Sequence, residues 1–219
     1  MKYLLRNFYN ISFFIGIAII AYTIFDWNNS HYLSSLALLN LAVINLHFFE
    51  EFGFPGGFPY FANMMFGYKN SPAPDRFPLN QLSAFLTNWG TAVVMYLLPI
   101  FFPKKIWLGL MPIIFGLIQV LVHGIINNKM LKTWYNGGLA TALLGHLPIG
   151  ILYIKYLNKN HLATTWDYLT ALILVIIWYV VGIRIIINKS FESETSPYPF
   201  APEEMARFEH FYGKERLVK

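Results

Sequence analysis

The chain contains no cysteine among its 219 residues. This excludes disulfides, thiolate metal ligands and cysteine nucleophiles, and leaves the redox compartment unconstrained. Charge is the second shortage: Asp, Glu, Lys and Arg make up 12% of the residues, against about 25% in soluble domains. The net charge of +5 is spread over loops and tail without a dense basic block, so nucleic-acid binding has nothing to support it. Fixed-period repeats and low-complexity segments are also missing.

What remains is hydrophobic, 56% of the residues. The stretches Phe8 to Phe25, Tyr32 to Phe49, Leu82 to Phe102, Ile106 to Ile126 and Gly137 to Ile154 hold no Asp, Glu, Lys or Arg. A further stretch, Tyr168 to Ile187, holds Arg184 alone, near enough to its end to snorkel. About 17–25 such residues cross the hydrocarbon core as a helix. The expected fold is therefore all-α, a polytopic bundle of about six spans over residues 1–189 with a polar tail over 190–219. The first span follows Lys2 and Arg6 as a signal peptide would. Its apolar run is too long for one and no small-x-small site follows, so it reads as retained. Lys69, Arg76, Lys129, Lys132 and the basic tail fall on the N-terminal side, and Lys104, Lys105, Lys155 and Lys159 on the other. That bias predicts a plasma-membrane protein with both termini cytoplasmic.

One loop is long, Phe52 to Pro78, and its run Gly53-Phe54-Pro55-Gly56-Gly57-Phe58-Pro59-Tyr60 argues against a helix. Its aromatics (Phe54, Phe58, Tyr60, Phe61, Phe66, Tyr68) suit either a connector anchored at the bilayer interface or a lid over a site at that surface. In the tail, Pro202-Glu203-Glu204 has the chemistry of a helix start, and Met205, Phe208 and Tyr212 repeat at helical spacing. Such an amphipathic helix lies on the membrane surface, binds a partner, or belongs to a disordered end.

Polar groups inside spans are expensive, and here they cluster. In Asn45-Leu46-His47-Phe48-Phe49-Glu50-Glu51, both glutamates point into the sector of His47, and Asn40 extends the stripe. The next-but-one span places Gln119, His123 and Asn127 at i, i+4, i+8, with Gly116 on the same face to admit a neighbour. Between these, Gln81, Ala84, Asn88, Thr91 and Met95 trace a small, polar seam. Gly138, Ala142 and His146 share a face of the fifth span, behind Tyr135-Asn136-Gly137-Gly138. Pro148 removes the helical donor for Leu144. With alternating spans, His47, His123, Asn88 and His146 lie about 6, 8, 9 and 14 Å inside the same face, at about 1.5 Å per residue.

Three histidines and two carboxylates suit a borderline divalent metal such as zinc or iron. The expected ligands are His47, Glu50, Glu51, His123 and His146, with Asn88, Asn127 and Asn136 orienting them. His47, Glu50 and Glu51 are the expected catalytic groups. A bound cation would offset the repulsion of adjacent glutamates at a membrane boundary. Without metal, His47 and Glu51 form an acid–base pair. The same groups also serve as interhelical hydrogen bonds, worth about 0.6 kcal/mol each on average.

The string His47-Phe48-Phe49-Glu50-Glu51 resembles the defining motif of the HXXEE family of membrane proteins. The likeness extends to His123 with Asn127 and to Tyr135-Asn136-Gly137-Gly138-Leu139 followed by His146, covering roughly Asn45 to Gly150. It implies a multi-pass protein and an enzymatic role without naming a reaction. The histidine boxes of membrane di-iron hydroxylases need about eight histidines; this chain has six, and His31, His161 and His210 stand apart. Emopamil-binding sterol isomerases place a His and a Glu one turn apart, similar to His47 and Glu51, with no wider match.

These readings converge on a membrane-embedded metalloenzyme, a hydrolase or other lipid-modifying activity, whose partners are membrane lipids and an apolar small-molecule substrate. The alternatives are a metal-free, isomerase-like acid–base enzyme, a small transporter needing a polar path through both leaflets, and a structural membrane protein.

Overall fold

The computed structural model describes residues 2–27, 32–66 and 70–217. His31, Tyr68 and Lys69, used in the sequence reading, lie outside the described residues. Six helices are long and apolar enough to cross a membrane: Lys2–Asp26, Tyr32–Phe52, Gln81–Phe101, Ile106–Leu131, Leu139–Lys159 and Thr165–Phe191. Among the described residues there is no strand. Water-filled surroundings would not tolerate the exposed Phe14, Ile24, Leu144, Ile173 and Ile186 on their outer faces, whereas lipid does. The protein is an integral membrane protein.

The second span is 56% buried, against 22% for the sixth. It forms the centre of the bundle, with the first span packed along it and the third, fourth and fifth around its remaining faces. Its centrality explains how it carries Asn40, Asn45, His47, Glu50 and Glu51 in the interior. The sixth span is peripheral. Its first half, Thr165–Ile177, packs on Ile106–Leu121 of the fourth span, and its second half turns to the third span. There Trp178 Nε1 donates to Thr91 Oγ1 at 3.0 Å and Thr87 Oγ1 donates to Asn188 Oδ1 at 3.3 Å.

The third to sixth spans each contain a wide, π-helical stretch, at Ala92–Leu97, Val122–Asn127, Ala142–His146 and Trp178–Asn188. Pro99 and Pro148 each sit just beyond one of them, where the widened turn accommodates a ring that would clash in a regular helix. The strict i, i+4, i+8 stripe expected of Gln119, His123 and Asn127 is interrupted by the second stretch, although all three still border one cavity. Such wide turns collect at functional sites, and two of them carry His123 and His146.

One segment on the N-terminal side differs from expectation, and a second packs against it. The long loop does contain a helix, Phe58–Met64, because Pro59 falls at its first turn, where a missing N–H costs nothing. Asn63, fully buried, locks this helix to the rest of the loop: its Nδ2 donates to Pro74 O and Leu79 O, and its Oδ1 accepts from Leu79 N. The tail forms the helix expected of it, and that helix is docked rather than loose. Its helix, Pro202–Tyr212, packs on the loop helix through Phe208, Tyr60, Phe61 and Tyr212. Gln81 Nε2 donates to Glu204 Oε2 at 2.8 Å, and Arg207 reaches Tyr9 Oη at 3.2 Å and the carbonyl of Phe52. Loop and tail together close that end of the bundle.

Candidate metal centre

His47 of the second span, His123 of the fourth and His146 of the fifth come together in the interior, each at most 2% exposed. The ring centroids of His47 lie 4.8 Å from those of His123 and 5.8 Å from those of His146. Glycine makes this possible at two points. A Cβ on Gly116 would stand 2.8 Å from His146 Nδ1, and one on Gly138, whose φ is +102°, would strike the His123 ring.

Each histidine is held through the same nitrogen. His47 Nδ1 lies 2.8 Å from Thr141 Oγ1, His123 Nδ1 2.7 Å from Asn136 Oδ1, and His146 Nδ1 2.7 Å from Asn40 Oδ1. The partners fix the tautomers. Thr141 Oγ1 gives its proton to Glu50 Oε2, and the Asn136 amide donates to His123 O and Asn128 Oδ1, so the atoms facing the rings are acceptors. Nδ1 of His47 and of His123 then carries hydrogen, and Nε2 of each presents a lone pair. An imidazole backed at one nitrogen by an oxygen acceptor is the usual arrangement of a metal-binding histidine.

The free nitrogens meet Glu51. Its Oε1 is 3.4 Å from His123 Nε2 and 3.8 Å from His47 Nε2, and one ligand atom from each of the three residues falls within 4.8 Å of the others. Ligands of a tetrahedral zinc lie about 3.3 Å apart, given bonds of about 2.0–2.1 Å. His47 Nε2 and His146 Nε2 are buried without a hydrogen-bond partner. Lone pairs converging on a carboxylate oxygen repel unless a proton or cation stands among them. The residues present therefore fit a divalent metal, with His47, Glu51 and His123 as the group that could hold it.

The other expected residues stand differently. Glu50 does not join the group, because both its oxygens are spent on the start of the fifth span. Oε1 accepts from Tyr135 Oη at 2.8 Å and Ala140 N at 2.9 Å, and Oε2 from Thr141 N at 2.8 Å and Thr141 Oγ1 at 2.6 Å. A carboxylate at a helix N-terminus suits the positive end of its dipole. Burial and the bond to Glu50 both raise the pKa of Tyr135, which keeps the donating proton in place. His146 lies beside the group but outside it. Asn136 orients His123 as expected, and Asn127 Nδ2 approaches the same nitrogen at 3.4 Å. Asn88 orients none of them; its Nδ2 bonds Ala84 O within its own helix. His161 and His210 are exposed and outside the group.

A family model described as a protein of unknown function with HXXEE motif matches residues 38–153. The chain belongs to the HXXEE-motif family. No curated protein and no solved structure matches it. Within the HXXEE motif the two glutamates divide their work, the second facing the histidines and the first fastening the fifth span behind them.

Two supports were not evident from sequence. Thr141 links Glu50 to His47, and Asn40, which the helical stripe assigned to the His47 face, serves His146 instead. Their only sequence signal is a polar side chain deep in an apolar span. Tyr212 is a third: Gly137 N donates to its hydroxyl at 3.0 Å, and burial pushes its pKa to about 12. The tail helix thus pins the turn that carries Asn136 and Gly138.

His47, Glu51 and His123 open onto a cavity of about 520 Å³. Phe58, Ala62 and Asn63 of the loop helix are among the residues that line it.

Proposed function

We propose that this HXXEE protein is a membrane-embedded metalloenzyme that hydrolyses, or otherwise modifies, an apolar substrate. The observation that carries the reading is the convergence of histidine Nε2 atoms on Glu51 with every Nδ1 fastened to an oxygen. A structural role would satisfy those nitrogens; here His47 Nε2 is left bare and buried, as is His146 Nε2 beside the group.

His47, Glu51 and His123 would hold a divalent cation, which would supply a water of lowered pKa or polarise a carbonyl. The protein's own part is geometric. Thr141 and Asn136 fix the ring planes, and the apolar walls exclude bulk water from the reacting centre. Glu51, on the cavity wall, is placed to take a proton from a nucleophile bound there.

The closeness of His123 Nε2 and Glu51 Oε1, 3.4 Å, also supports a metal-free acid–base enzyme in which that pair shares a proton. Elemental analysis of detergent-purified protein separates the two. The metalloenzyme predicts about one zinc or iron per chain, lost in His47→Ala and His123→Ala. Wild-type protein that holds no metal above background, even after incubation with zinc or ferrous iron, would overturn it. Full activity of His47→Ala toward a lipid ester would remove both enzymatic versions.

A further inference from the structure

The cavity says what kind of molecule reaches Glu51. Its volume of about 520 Å³ lies in the range that encloses one drug-sized ligand, enough for a single acyl chain and too little for a whole diacyl lipid. Its walls come from the second, third, fourth and sixth spans and are mainly apolar, with Ile44, Phe48, Phe115 and Val175 among them.

It also has a side door. The fourth and sixth spans pack together over Ile106–Leu121 and Thr165–Ile177, then part, as the sixth leans onto the third through Trp178 and Asn188. The cavity lies in the gap. Ile126, Ile176 and Tyr179 line it and are also 45%, 52% and 46% exposed, so the same side chains face both the cavity and the surrounding lipid. The opening is therefore toward the bilayer.

Apart from histidine, the charges on the described cavity wall are Glu51 and Arg184. Arg184 lies seven residues before Phe191, the end of the sixth span. That is roughly 10 Å inside the membrane face at 1.5 Å per residue, a depth similar to that of His47 and His123. The Arg184 side chain is exposed and also borders the cavity, so the guanidinium can both snorkel toward the face and serve a ligand held there. It recognises carboxylate or phosphate oxygens in a bidentate manner.

We infer that the cavity binds a single-chain lipid with an anionic head, which enters from the bilayer between the fourth and sixth spans and sets its head between Arg184 and the His47–Glu51–His123 group. As a substrate assignment this rests on the proposed metalloenzyme; as a binding site it does not.

The test is native mass spectrometry of the detergent-solubilised full chain with palmitate, lysophosphatidate or monopalmitoylglycerol. Palmitate, lysophosphatidate or both should saturate at one per chain and exceed the neutral lipid by about tenfold; the two arms separate a carboxylate from a phosphate head. Arg184→Gln should abolish that preference and Arg184→Lys retain part of it. Equal binding of all three lipids, or a preference unchanged in Arg184→Gln, would overturn the head-group assignment. Ile126→Trp combined with Ile176→Trp should reduce binding of every lipid, and undiminished binding would overturn the portal. Should that double variant not fold, a diazirine-bearing palmitate on the wild-type chain decides the point. Crosslinks should map to Ile126 or Ile176, and labelling confined to other faces counts against it. Metal content is measured on the same samples. Lipid preference without metal would sink the proposed function alone, and metal without lipid preference would sink only this inference.

Discussion

Glu50 and His47 are joined through one hydroxyl: Thr141 Oγ1 donates to Glu50 Oε2 at 2.6 Å and stands 2.8 Å from His47 Nδ1. The same carboxylate receives the backbone amides of Ala140 and Thr141. The attitude of the His47 ring and the start of the fifth span are therefore set by a single group, which makes the two mechanically dependent.

Thr141→Val keeps the shape of the side chain and removes the hydroxyl. The ring of His47 loses its acceptor, so metal affinity should fall by about 10–100-fold, as it does when the outer partner of a metal-bound histidine is removed. Thr141→Ser should stay close to wild type. Competition with a fluorescent zinc chelator gives the affinities, and equal values for valine and serine would contradict the link.

The two glutamates of the motif should fail in different ways. Glu50→Gln cannot accept four donors and places an amide against backbone N–H groups. We expect a loss of about 1–3 kcal/mol in stability, with metal still bound. Glu51→Gln should lose the metal while melting near the wild-type temperature measured in chelator. Thermal melts and elemental analysis on the same preparations distinguish them.

Stripping the metal should lower the melting temperature. At a free metal concentration of 100 times Kd, the bound ion contributes about 2.7 kcal/mol. Chelator treatment should remove that increment and added metal restore it. His123→Ala protein should melt at the same temperature with and without chelator.

The tail adds a pH dependence. Burial raises the pKa of Glu204, against the bonds from Ala201 and Gln81 that lower it. A carboxyl whose folded pKa exceeds its unfolded value of about 4.5 favours the fold most when protonated. Its contribution is complete below that value and declines as the pH rises through the folded pKa. The melting temperature of wild type should therefore fall relative to Glu204→Gln as the pH rises above about 4.5. A constant difference across that range would show that Glu204 does not titrate with folding.

The sequence exposes its spans because a missing charge over some twenty residues has no other economical explanation in this composition. It exposes the cluster for a related reason: His47, His123 and His146 are conspicuous against leucine and isoleucine, and span alternation brings them to one side. The division between Glu50 and Glu51 is hidden, since adjacent residues on a helix differ by about 100° and both remain compatible with one sector. The π-helical stretches are hidden too, because nothing in Val122–Asn127 marks an extra residue in the turn. Asn40 shows the cost of that blindness. Regular helix geometry puts it on the stripe of His47 but does not name its partner, which is the ring of His146 in the widened turn Ala142–His146. Phe58–Met64 escapes for a third reason, as does the docking, though not the existence, of helix Pro202–Tyr212: each is fixed by a partner distant in sequence, the loop by the tail and the tail by the loop.

That mutual dependence has a consequence in time. Residues Pro202–Tyr212 are synthesised after every span, so all six helices can be in the membrane before Arg207 reaches Tyr9 or Tyr212 receives Gly137. The turn bearing Asn136 then acquires its final support last. Maturation of the histidine centre is in this sense an event of late biosynthesis, and a nascent chain stalled before Glu204 would carry all three histidines in an unfinished pocket.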